Sequence, residues 1–474
     1  MNMDERYISG ELHEECGVFG VYDLEDNDVV STIYYGLFAL QHRGQESCGI
    51  AVSDINGPKG KVMSCKGMGL VSEVCTDENL EGLRGNIGVG HVRYAKEEEN
   101  SVHNIQPLVL NYIKGTLSIA NNGNIINTNE LREELEYSGA IFQTTVDTEV
   151  IAYHIARERL KSKTVEEAVT KAMKKLKGAY SLVLMSPRKL IGARDPHGFH
   201  PLCIGKKESS YILASETAAL NAVDAEFVRD VLPGEVVMIN KEGIHSDTSL
   251  CTNNHARCIF EYIYFARPDS HIDSVSVYNS RVMAGRILAQ THSVDADVVV
   301  GVPDSGNAAA IGYALESGIP FGMAFIKNSY VGRTFIKPKQ AARTSGVRIK
   351  LNVLAEVVEG KRVVMIDDSI VRGNTCAKIV KMLKVAGATE VHVRISSPPF
   401  QHPCYYGVDV PTGDQLIARN NSVDEIRDII GADSLGYLSI ERLDDIIGKD
   451  MGYCDACFTG KYPTELPKDQ ETNI

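Results

Sequence analysis

The order of apolar and polar positions divides the chain into two parts. In the first part, short apolar runs such as "AYSLVLMS", "YILASE" and "GEVVMI" alternate with turn sequences, which predicts paired strands. A few helices interrupt these strands. "VVSTIYYGLFALQHRG" has helical apolar spacing and stops at Gly44, whereas "TVEEAVTKAMKKLKG" opens with the Thr164/Glu167 capping-box pattern and stops at Gly178. The first part is therefore predicted to be an α+β unit.

After about residue 250 the pattern becomes buried strand, turn and helix. "DADVVVGVPDSG" precedes a helical stretch, and "GKRVVMIDDSIVRGNT" precedes a segment in which Ile379, Leu383 and Ala386 share one helical face. This alternation predicts an α/β unit with a mostly parallel sheet, which binds ligands at the carboxyl ends of its strands. The change of pattern near "DTSLCTNNHARC" predicts domains at residues 16–255 and 256–474.

Composition and charge narrow the class of protein. At 474 residues the chain exceeds what one core usually organises, and no apolar run approaches the roughly 20 residues that cross a bilayer. We therefore expect a cytoplasmic protein without a membrane partner. The net charge of -13 argues against nucleic-acid binding. However, residues 327–350 carry seven basic residues and no acidic one, which indicates either a polyanion site or a solvated loop.

The stretch "VVMIDDSIVRGNT" has the most specific pattern in the chain. A predicted strand, Val363 to Ile366, ends in Asp367 and Asp368, and a turn containing hydroxyls and a glycine then leads into a helix. Free backbone N–H groups at the helix start favour a phosphate, and the paired carboxylates suit ribose hydroxyls or a divalent cation. An ordinary strand ending in an Asp N-cap would explain one acid and one hydroxyl, but not the whole run.

This stretch resembles the phosphoribosylpyrophosphate (PRPP) motif of type I phosphoribosyltransferases. "GVPDSG", residues 301–306, repeats the arrangement after another strand, although Pro-Asp-Ser-Gly is also common turn chemistry. The resemblance implies that the basic stretch closes over PRPP, with Lys327, Arg333 and Lys350 in the closing loop. It implies PRPP binding by Asp304, Ser305, Gly306, Asp367, Asp368, Ser369, Val371, Arg372, Gly373 and Thr375, with Mg²⁺ held by Ser305, Asp367 and Asp368.

Cys16, in "HEECGVFGVYD", stands just before the first predicted strand. The polar leader ahead of it has neither the basic nor the apolar region of a secretory signal. Residues 1–15 are therefore either a frayed terminus or a propeptide whose removal makes Cys16 the first residue. A first-residue cysteine carries a thiol and a free α-amine whose pKa near ~8 suits it as general base for that thiol.

Three further stretches fit around such a cysteine. Arg93 in "GHVRYA" suits a substrate carboxylate, Asn122 and Gly123 in "NNGN" suit an oxyanion hole, and Asp147 in "VDTE" suits a substrate ammonium group. Each has an ordinary alternative, namely a surface ion pair, a hairpin turn and a helix N-cap. Together they resemble the class II glutamine amidotransferase domain. That resemblance implies an N-terminal nucleophile (Ntn) hydrolase-type fold in which Cys16 is the catalytic residue.

Eleven cysteines without a signal peptide do not indicate a disulfide framework. The spacing C-x2-C in "YCDACF" fits zinc, an iron–sulfur cluster, redox chemistry or no function at all. Cys48 and Cys251 are left open. Four others are predicted to be small buried hydrophobes: Cys65, Cys75, Cys203 and Cys376.

A glutaminase domain followed by a phosphoribosyltransferase domain resembles the amidophosphoribosyltransferase family over residues 16 to about 460. The resemblance implies an allosteric glycosyltransferase that converts glutamine, PRPP and water into 5-phosphoribosylamine, glutamate and pyrophosphate, the first committed step of purine synthesis. It also implies a homotetramer inhibited by purine nucleotides. The iron–sulfur branch of the family implies the propeptide and a 4Fe–4S cluster on Cys258, Cys404, Cys454 and Cys457.

Two other functions compete with this interpretation. A PRPP-sensing regulator would not need Cys16 and would usually need a basic DNA-binding surface, of which this acidic chain gives little sign. A glutamine-dependent enzyme acting on a sugar phosphate would not require "VVMIDDSIVRGNT".

Overall fold

The computed structural model describes residues 16–58, 60–94, 101–328, 351–410, 413–449 and 451–466. The predicted leader at 1–15 and two closing-loop residues, Arg333 and Lys350, lie outside these described residues. None of the described helices combines the length and apolarity needed to cross a bilayer.

The first part of the chain is built from antiparallel strands and flanking helices. In chain order these are β1 (Gly17–Asp23), α1 (Val30–Ala39), β2 (Ser47–Ser53), β3 (Val62–Met68), α2 (Val71–Val74), α3 (Asp77–Leu80), β4 (Ile87–Arg93), β5 (Leu108–Tyr112), β6 (Gly115–Asn122), α4 (Thr128–Tyr137), α5 (Asp147–Lys161), α6 (Val165–Met173), β7 (Ser181–Ser186), β8 (Lys189–Arg194), β9 (Cys203–Lys207), β10 (Ser210–Ala214), α7 (Thr217–Ala222), β11 (Glu226–Asp230), β12 (Val236–Asn240) and β13 (Gly243–Asp247).

Two antiparallel sheets form the centre of this part, with strand orders β11-β9-β10-β1-β4-β2-β3 and β13-β12-β8-β7-β6-β5. Residues of both sheets, among them Val18, Val89 and Val183, share one buried core. The two sheets lie so close together at Gly20 that a Cβ on this residue would be 2.6 Å from a Val183 methyl. Helix α1 covers the outer face of the first sheet, and α5 and α6 cover that of the second. The four layers confirm the predicted Ntn hydrolase-type α+β fold.

The two predicted helices form, but both end earlier than expected. Helix α1 ends at Ala39 and is followed by a 3-10 turn over Gln41–Arg43. At the start of α6, the Thr164 hydroxyl accepts from the Glu167 N–H at 3.3 Å, and the Glu167 carboxylate accepts from the Lys163 N–H at 2.9 Å. Helix α6 stops at Met173 because tertiary contacts hold the segment that follows it. The Asn127 side chain donates to the Lys175 carbonyl and accepts from the Lys177 N–H, and Gly178 forms an isolated β-bridge with Ile125.

The second part has a parallel sheet with helices on both faces. Its elements are β14 (Arg257–Cys258), a π-helix (Glu261–Phe265), β15 (His271–Ile272), β16 (Val275–Ser276), α8 (Val277–Thr291), β17 (Val298–Gly301), α9 (Gly306–Ser317), β18 (Phe325–Lys327), β19 (Leu351–Val353), α10 (Ala355–Val358), β20 (Arg362–Asp367), α11 (Asn374–Val385), β21 (Glu390–Ile395), α12 (Ile417–Asn420), α13 (Val423–Ile430), β22 (Ser434–Tyr437), α14 (Leu443–Ile447), β23 (Tyr453–Cys454) and α15 (Ala456–Thr459).

Strands β17, β20, β21 and β22 lie in that order and are all parallel. One buried core joins α8 and α9 to one face of this sheet, and another joins α11 and α13 to the opposite face. Parallel strands covered on both faces confirm the predicted α/β unit. The register pairs Gly301 with Ile366, so the loops that follow β17 and β20 leave the sheet at the same edge.

Candidate active sites

Cys16 lies at the point where β1 begins beside the end of β4. Gly17 pairs with Val92, which places Cys16 next to Arg93 and Tyr94. The half-buried thiol donates to the Tyr94 carbonyl, with 3.6 Å between Sγ and O. Sheet pairing therefore brings the predicted nucleophile and Arg93 together. Arg93 is 4% exposed, so the alternative of a surface ion pair is wrong for this residue.

The segment "NNGN" reaches the same region from the second sheet. His91 Nε2 lies 3.0 Å from the Asn121 carbonyl oxygen and links β4 to β6. The hairpin-turn alternative is wrong, because α4 follows β6 rather than a pairing strand. Asn122 is fully buried, and neither atom of its side-chain amide has a hydrogen-bond partner among the described residues. A buried amide without a partner is costly and is available to a ligand.

Gly123 follows with a φ of +135°, and a Cβ there would lie 2.4 Å from the Ala179 carbonyl oxygen. Only glycine fits this position without strain. The turn therefore combines a small residue with the buried amide of Asn122, which is the combination that an oxyanion hole requires.

Asp147 is the first residue of α5, and its carboxylate holds the same turn. Its Oδ2 accepts from the Ile125 N–H at 3.0 Å and from Asn121 Nδ2 at 3.4 Å. Helix α5 has Val146 at its N-cap, and no side chain caps it, which is against the N-cap alternative. Asp147 thus lies beside the predicted oxyanion hole.

The two phosphate-type loops meet at one edge of the parallel sheet. Asp368 is buried, and its carboxylate accepts from Ser305 Oγ at 2.6 Å and from Ser369 Oγ at 2.5 Å. Asp367 Oδ1 accepts from the Asp368 N–H at 3.0 Å. Burial raises the pKa of Asp368, and the two serine hydrogen bonds oppose that shift. The Ser305 contact joins "GVPDSG" directly to "VVMIDDSIVRGNT".

Glycines fix the backbone where each loop enters its helix. A Cβ on Gly306, the first residue of α9, would lie 2.5 Å from the Ile366 carbonyl oxygen. Gly373 caps α11 with a φ of +82°. Residues of the loop after β20 also contact the segment near α12, since the Val371 carbonyl accepts from Ile417 and Arg372 donates to Gln415. Thr375 lies in the first turn of α11.

The remaining predicted loop residues lie nearer the solvent. Asp304 is exposed and forms an ion pair with Lys327, which ends β18. The structure therefore places Lys327, which is predicted to belong to the closing loop, in direct contact with "GVPDSG".

Four cysteines predicted to act together line one cavity, which Phe199 and His200 of the first part also line. Strands β14 and β23 pair Cys258 with Cys454, and Cys404 and Cys457 join them with a lining that is otherwise mainly aromatic and aliphatic. Burial and the nearby Cys404 thiol raise the pKa of Cys457 well above its usual range. The other cysteines predicted to be core residues, Cys65, Cys75, Cys203 and Cys376, are buried, and so is Cys48, whereas Cys251 is half-buried.

Across the part of the chain that the structure describes, no group of three or more His, Cys, Asp or Glu side chains surrounds a single point in the way that one metal ion requires. A 4Fe–4S cluster offers four iron corners to four separate thiolates, so a thiol-lined cavity fits it better than it fits zinc.

Sequence reasoning missed a buried ion cluster between the two parts. The Arg43 guanidinium donates to the carboxylates of Glu216 and Glu261, and all three side chains are at most 1% exposed. Also missed was the segment after Cys404, in which Tyr405 accepts from Asn124 at 2.9 Å. Neither feature has a periodic or motif signal, because each joins residues more than 170 positions apart.

The fold and the two sites define a class II glutamine amidotransferase domain joined to a type I phosphoribosyltransferase domain. A family model described as "Glutamine amidotransferase domain" matches residues 91–222. The chain is 49% identical over 464 residues to the amidophosphoribosyltransferase of Bacillus subtilis, covering 97% of this chain and 96% of that one. It is 50% identical over 469 residues to the amidophosphoribosyltransferase of Methanocaldococcus jannaschii, covering 95% and 98%.

Among solved structures, the chain resembles the glutamine PRPP amidotransferase of Bacillus subtilis complexed with ADP and GMP. The TM-score is 0.88 at 49% identity, over 96% of this chain and 98% of that one. The chain belongs to the amidophosphoribosyltransferase family. Membership confirms the predicted enzyme class and the predicted place at the first step of purine biosynthesis.

Proposed function

We propose that this chain hydrolyses glutamine at Cys16 and transfers the ammonia to PRPP, giving 5-phosphoribosylamine, glutamate and pyrophosphate. The observation that carries the proposal is the convergence of Cys16, Arg93 and the "NNGN" turn in one unit, with paired carboxylates and two helix starts in the other. We place the domains at 16–255 and 256–474, because the antiparallel sheets end at Asp247 and the next strand begins at Arg257.

The glutaminase step uses the thiol as nucleophile. Cys16 Sγ attacks the side-chain amide carbon of glutamine, and the oxygen that becomes negative is stabilised by Asn122 Nδ2 and the Gly123 N–H. The proton taken from the thiol passes to the amide nitrogen, the C–N bond breaks and ammonia leaves, and water then hydrolyses the thioester to glutamate and regenerates the thiol. Arg93 binds the substrate carboxylate through its planar fork, and Asp147 receives the ammonium group.

The base for this step is the α-amine of Cys16, which exists only after residues 1–15 are removed as a propeptide. In a peptide bond the nitrogen lone pair is delocalised and cannot take the thiol proton. The short leader and the position of Cys16 directly before β1 support this proposal.

The transfer step takes place at the edge of the parallel sheet. The starts of α9 and α11 bind the pyrophosphate and the 5-phosphate through free N–H groups. Asp367 and Asp368 bind ribose hydroxyls, and ammonia attacks the anomeric carbon as pyrophosphate leaves. Lys327, Arg333 and Lys350 close over the substrate and exclude water.

Mg²⁺ fits this site because two carboxylates and a serine hydroxyl offer it oxygen ligands. Ser305, Asp367 and Asp368 would hold it, and it would neutralise charge on the pyrophosphate. Of the ten proposed PRPP-binding residues, the other seven contribute backbone N–H groups or polar side chains around the phosphates: Asp304, Gly306, Ser369, Val371, Arg372, Gly373 and Thr375.

We further propose that Cys258, Cys404, Cys454 and Cys457 hold a 4Fe–4S cluster in the cavity that they line. The apolar lining excludes water, and the cluster would tie β14 and β23 to the segment after Cys404. The Bacillus subtilis structure contains ADP and GMP, which supports inhibition of this chain by purine nucleotides. A homotetramer and a cytoplasmic location stay predictions.

Cys16→Ala tests the proposal. The variant should lose glutamine-dependent synthesis but keep synthesis from high concentrations of ammonium, because the transfer site needs only the nucleophile. Cys251→Ala, at a half-buried cysteine of the same unit, is the control and should keep both activities. If folded Cys16→Ala protein loses both activities, or keeps the glutamine-dependent one, the division into two sites is wrong.

A further inference from the structure

The buried ion cluster between the two units contacts the proposed nucleophile directly. Arg43 Nε donates to the Cys16 carbonyl oxygen at 3.1 Å. The other end of the same guanidinium donates to Glu261, with Nη2 to Oε1 at 2.6 Å and Nη1 to Oε2 at 2.9 Å. One planar group therefore connects the backbone of Cys16 to a carboxylate of the second unit. Bidentate charge-assisted pairs of this kind fix geometry strongly.

Glu216 completes the surroundings of Arg43 from the first unit. Its Oε1 accepts from Arg43 Nη1 at 2.8 Å and from His42 Nε2 at 2.7 Å. Its Oε2 accepts from the Arg267 N–H and from Ser270 Oγ, so this carboxylate is held on both sides. Arg267 and Ser270 belong to the second unit, so that unit holds Glu216 from behind and also supplies Glu261, the carboxylate of the second unit that accepts directly from Arg43.

Glu261 is itself on an element with an unusual backbone. It is the first residue of the π-helix Glu261–Phe265, and π-helical turns are frequent at functional sites. Arg281 on α8 donates to the carbonyls of Tyr262, Tyr264 and Ala266 at 3.0, 2.8 and 2.7 Å. Burial lowers the pKa of Arg281 to about 10, although the negative charge of Asp368 at the PRPP-type site acts to raise it. Buried arginines thus hold the π-helix at both ends.

We propose that Arg43 and Glu261 are positioning residues for Cys16, so that the glutaminase site is completed by a carboxylate of the phosphoribosyltransferase domain. This inference rests on the proposed role of Cys16 as nucleophile. After removal of the leader, Cys16 is joined to the chain through one peptide bond only, and the Arg43 hydrogen bond to its carbonyl limits rotation of that residue. Loss of the Glu261 carboxylate frees the guanidinium on one side and lets Cys16 leave its productive orientation.

The test is Glu261→Gln in the full chain, with Arg43→Lys as the second variant. Small displacements of a reacting group cost up to ~100-fold in rate. Each variant should therefore lower kcat for glutamine hydrolysis by ~10-fold or more, while KM for glutamine stays within about twofold because Arg93 and Asp147 are untouched. Alkylation of Cys16 by iodoacetamide should slow in parallel. Ammonium-dependent synthesis should stay near the unmodified level.

Asp273→Asn provides the matched control. Arg194 and Asp273 form another buried bidentate pair between the units, at 2.8 and 2.9 Å. Asp273 has a φ of +48°, which asparagine tolerates, and its carboxylate accepts from Arg194 and Arg257, neither of which bonds Cys16 among the described residues. This variant should lower the free energy of unfolding but keep kcat for glutamine hydrolysis.

An unchanged kcat in folded Glu261→Gln and Arg43→Lys proteins would overturn the inference. Equal losses of kcat in Glu261→Gln and Asp273→Asn would also overturn it, because the pair would then serve only to join the units. Failure of the proposed function is a different result, namely glutamine hydrolysis that survives Cys16→Ala.

Discussion

Replacing Asn122 with alanine should separate catalysis from stability. The side-chain amide of Asn122 is fully buried and has no hydrogen-bond partner among the described residues. Removing it therefore breaks no hydrogen bond among the residues that the structure describes. If the amide stabilises the oxyanion, its loss should lower kcat for glutamine hydrolysis about 100- to 1,000-fold, or roughly 2.7–4 kcal/mol.

Asn127→Ala is the matched control for stability. Asn127 is also buried in this unit, but it donates to the Lys175 carbonyl at 2.9 Å and accepts from the Lys177 N–H at 3.0 Å. Both variants delete the same side-chain atoms, so both should lose a similar free energy of packing. At about 1 kcal/mol for each hydrogen bond, Asn127→Ala should be about 2 kcal/mol less stable than Asn122→Ala.

The assays are glutamate release from glutamine, ammonium-dependent synthesis and unfolding in urea. We expect Asn122→Ala to lose only the first activity and Asn127→Ala to lose mainly stability. A kcat for Asn122→Ala within threefold of the unmodified protein would refute the oxyanion role. A loss of stability as large as that of Asn127→Ala would show that the amide is already bonded.

Three further predictions concern the other proposed sites. The double variant Asp367→Asn with Asp368→Asn should abolish phosphoribosylamine synthesis from PRPP with either nitrogen source, while glutamine hydrolysis stays measurable. Synthesis at the normal rate would show that these two carboxylates do not bind PRPP. Anaerobically purified protein should be brown and contain iron, and Cys457→Ser should lose the iron; stoichiometric zinc in a colourless protein would contradict the cluster. N-terminal sequencing of active enzyme should begin at Cys16, and full glutamine-dependent turnover by protein that retains residues 1–15 would disprove the amine base.

The sequence by itself determined the two kinds of unit, α+β followed by α/β, and the local chemistry of the PRPP-type loop. Strand β20, the carboxylates and helix α11 are contiguous, so the pattern of one short stretch contains the strand, the turn and the helix start. Of the three residues predicted to share one helical face, Ile379 and Leu383 lie in the core and Ala386, just after the end of α11, is half-buried against it, because helical spacing alone decides which face they share. Element ends were less certain, as the early end of α6 shows.

The tertiary structure decided which distant residues meet. Cys16, Arg93 and Asn122 converge because antiparallel pairing places the start of β1 beside the end of β4, and His91 links β4 to the other sheet. Four cysteines spread over residues 258–457 line one cavity because tertiary contacts bring their distant segments together. The cluster around Arg43 had no signal in the sequence. A charged residue in a polar turn is usually solvated, and only the packing of the two units buries this one beside Glu261.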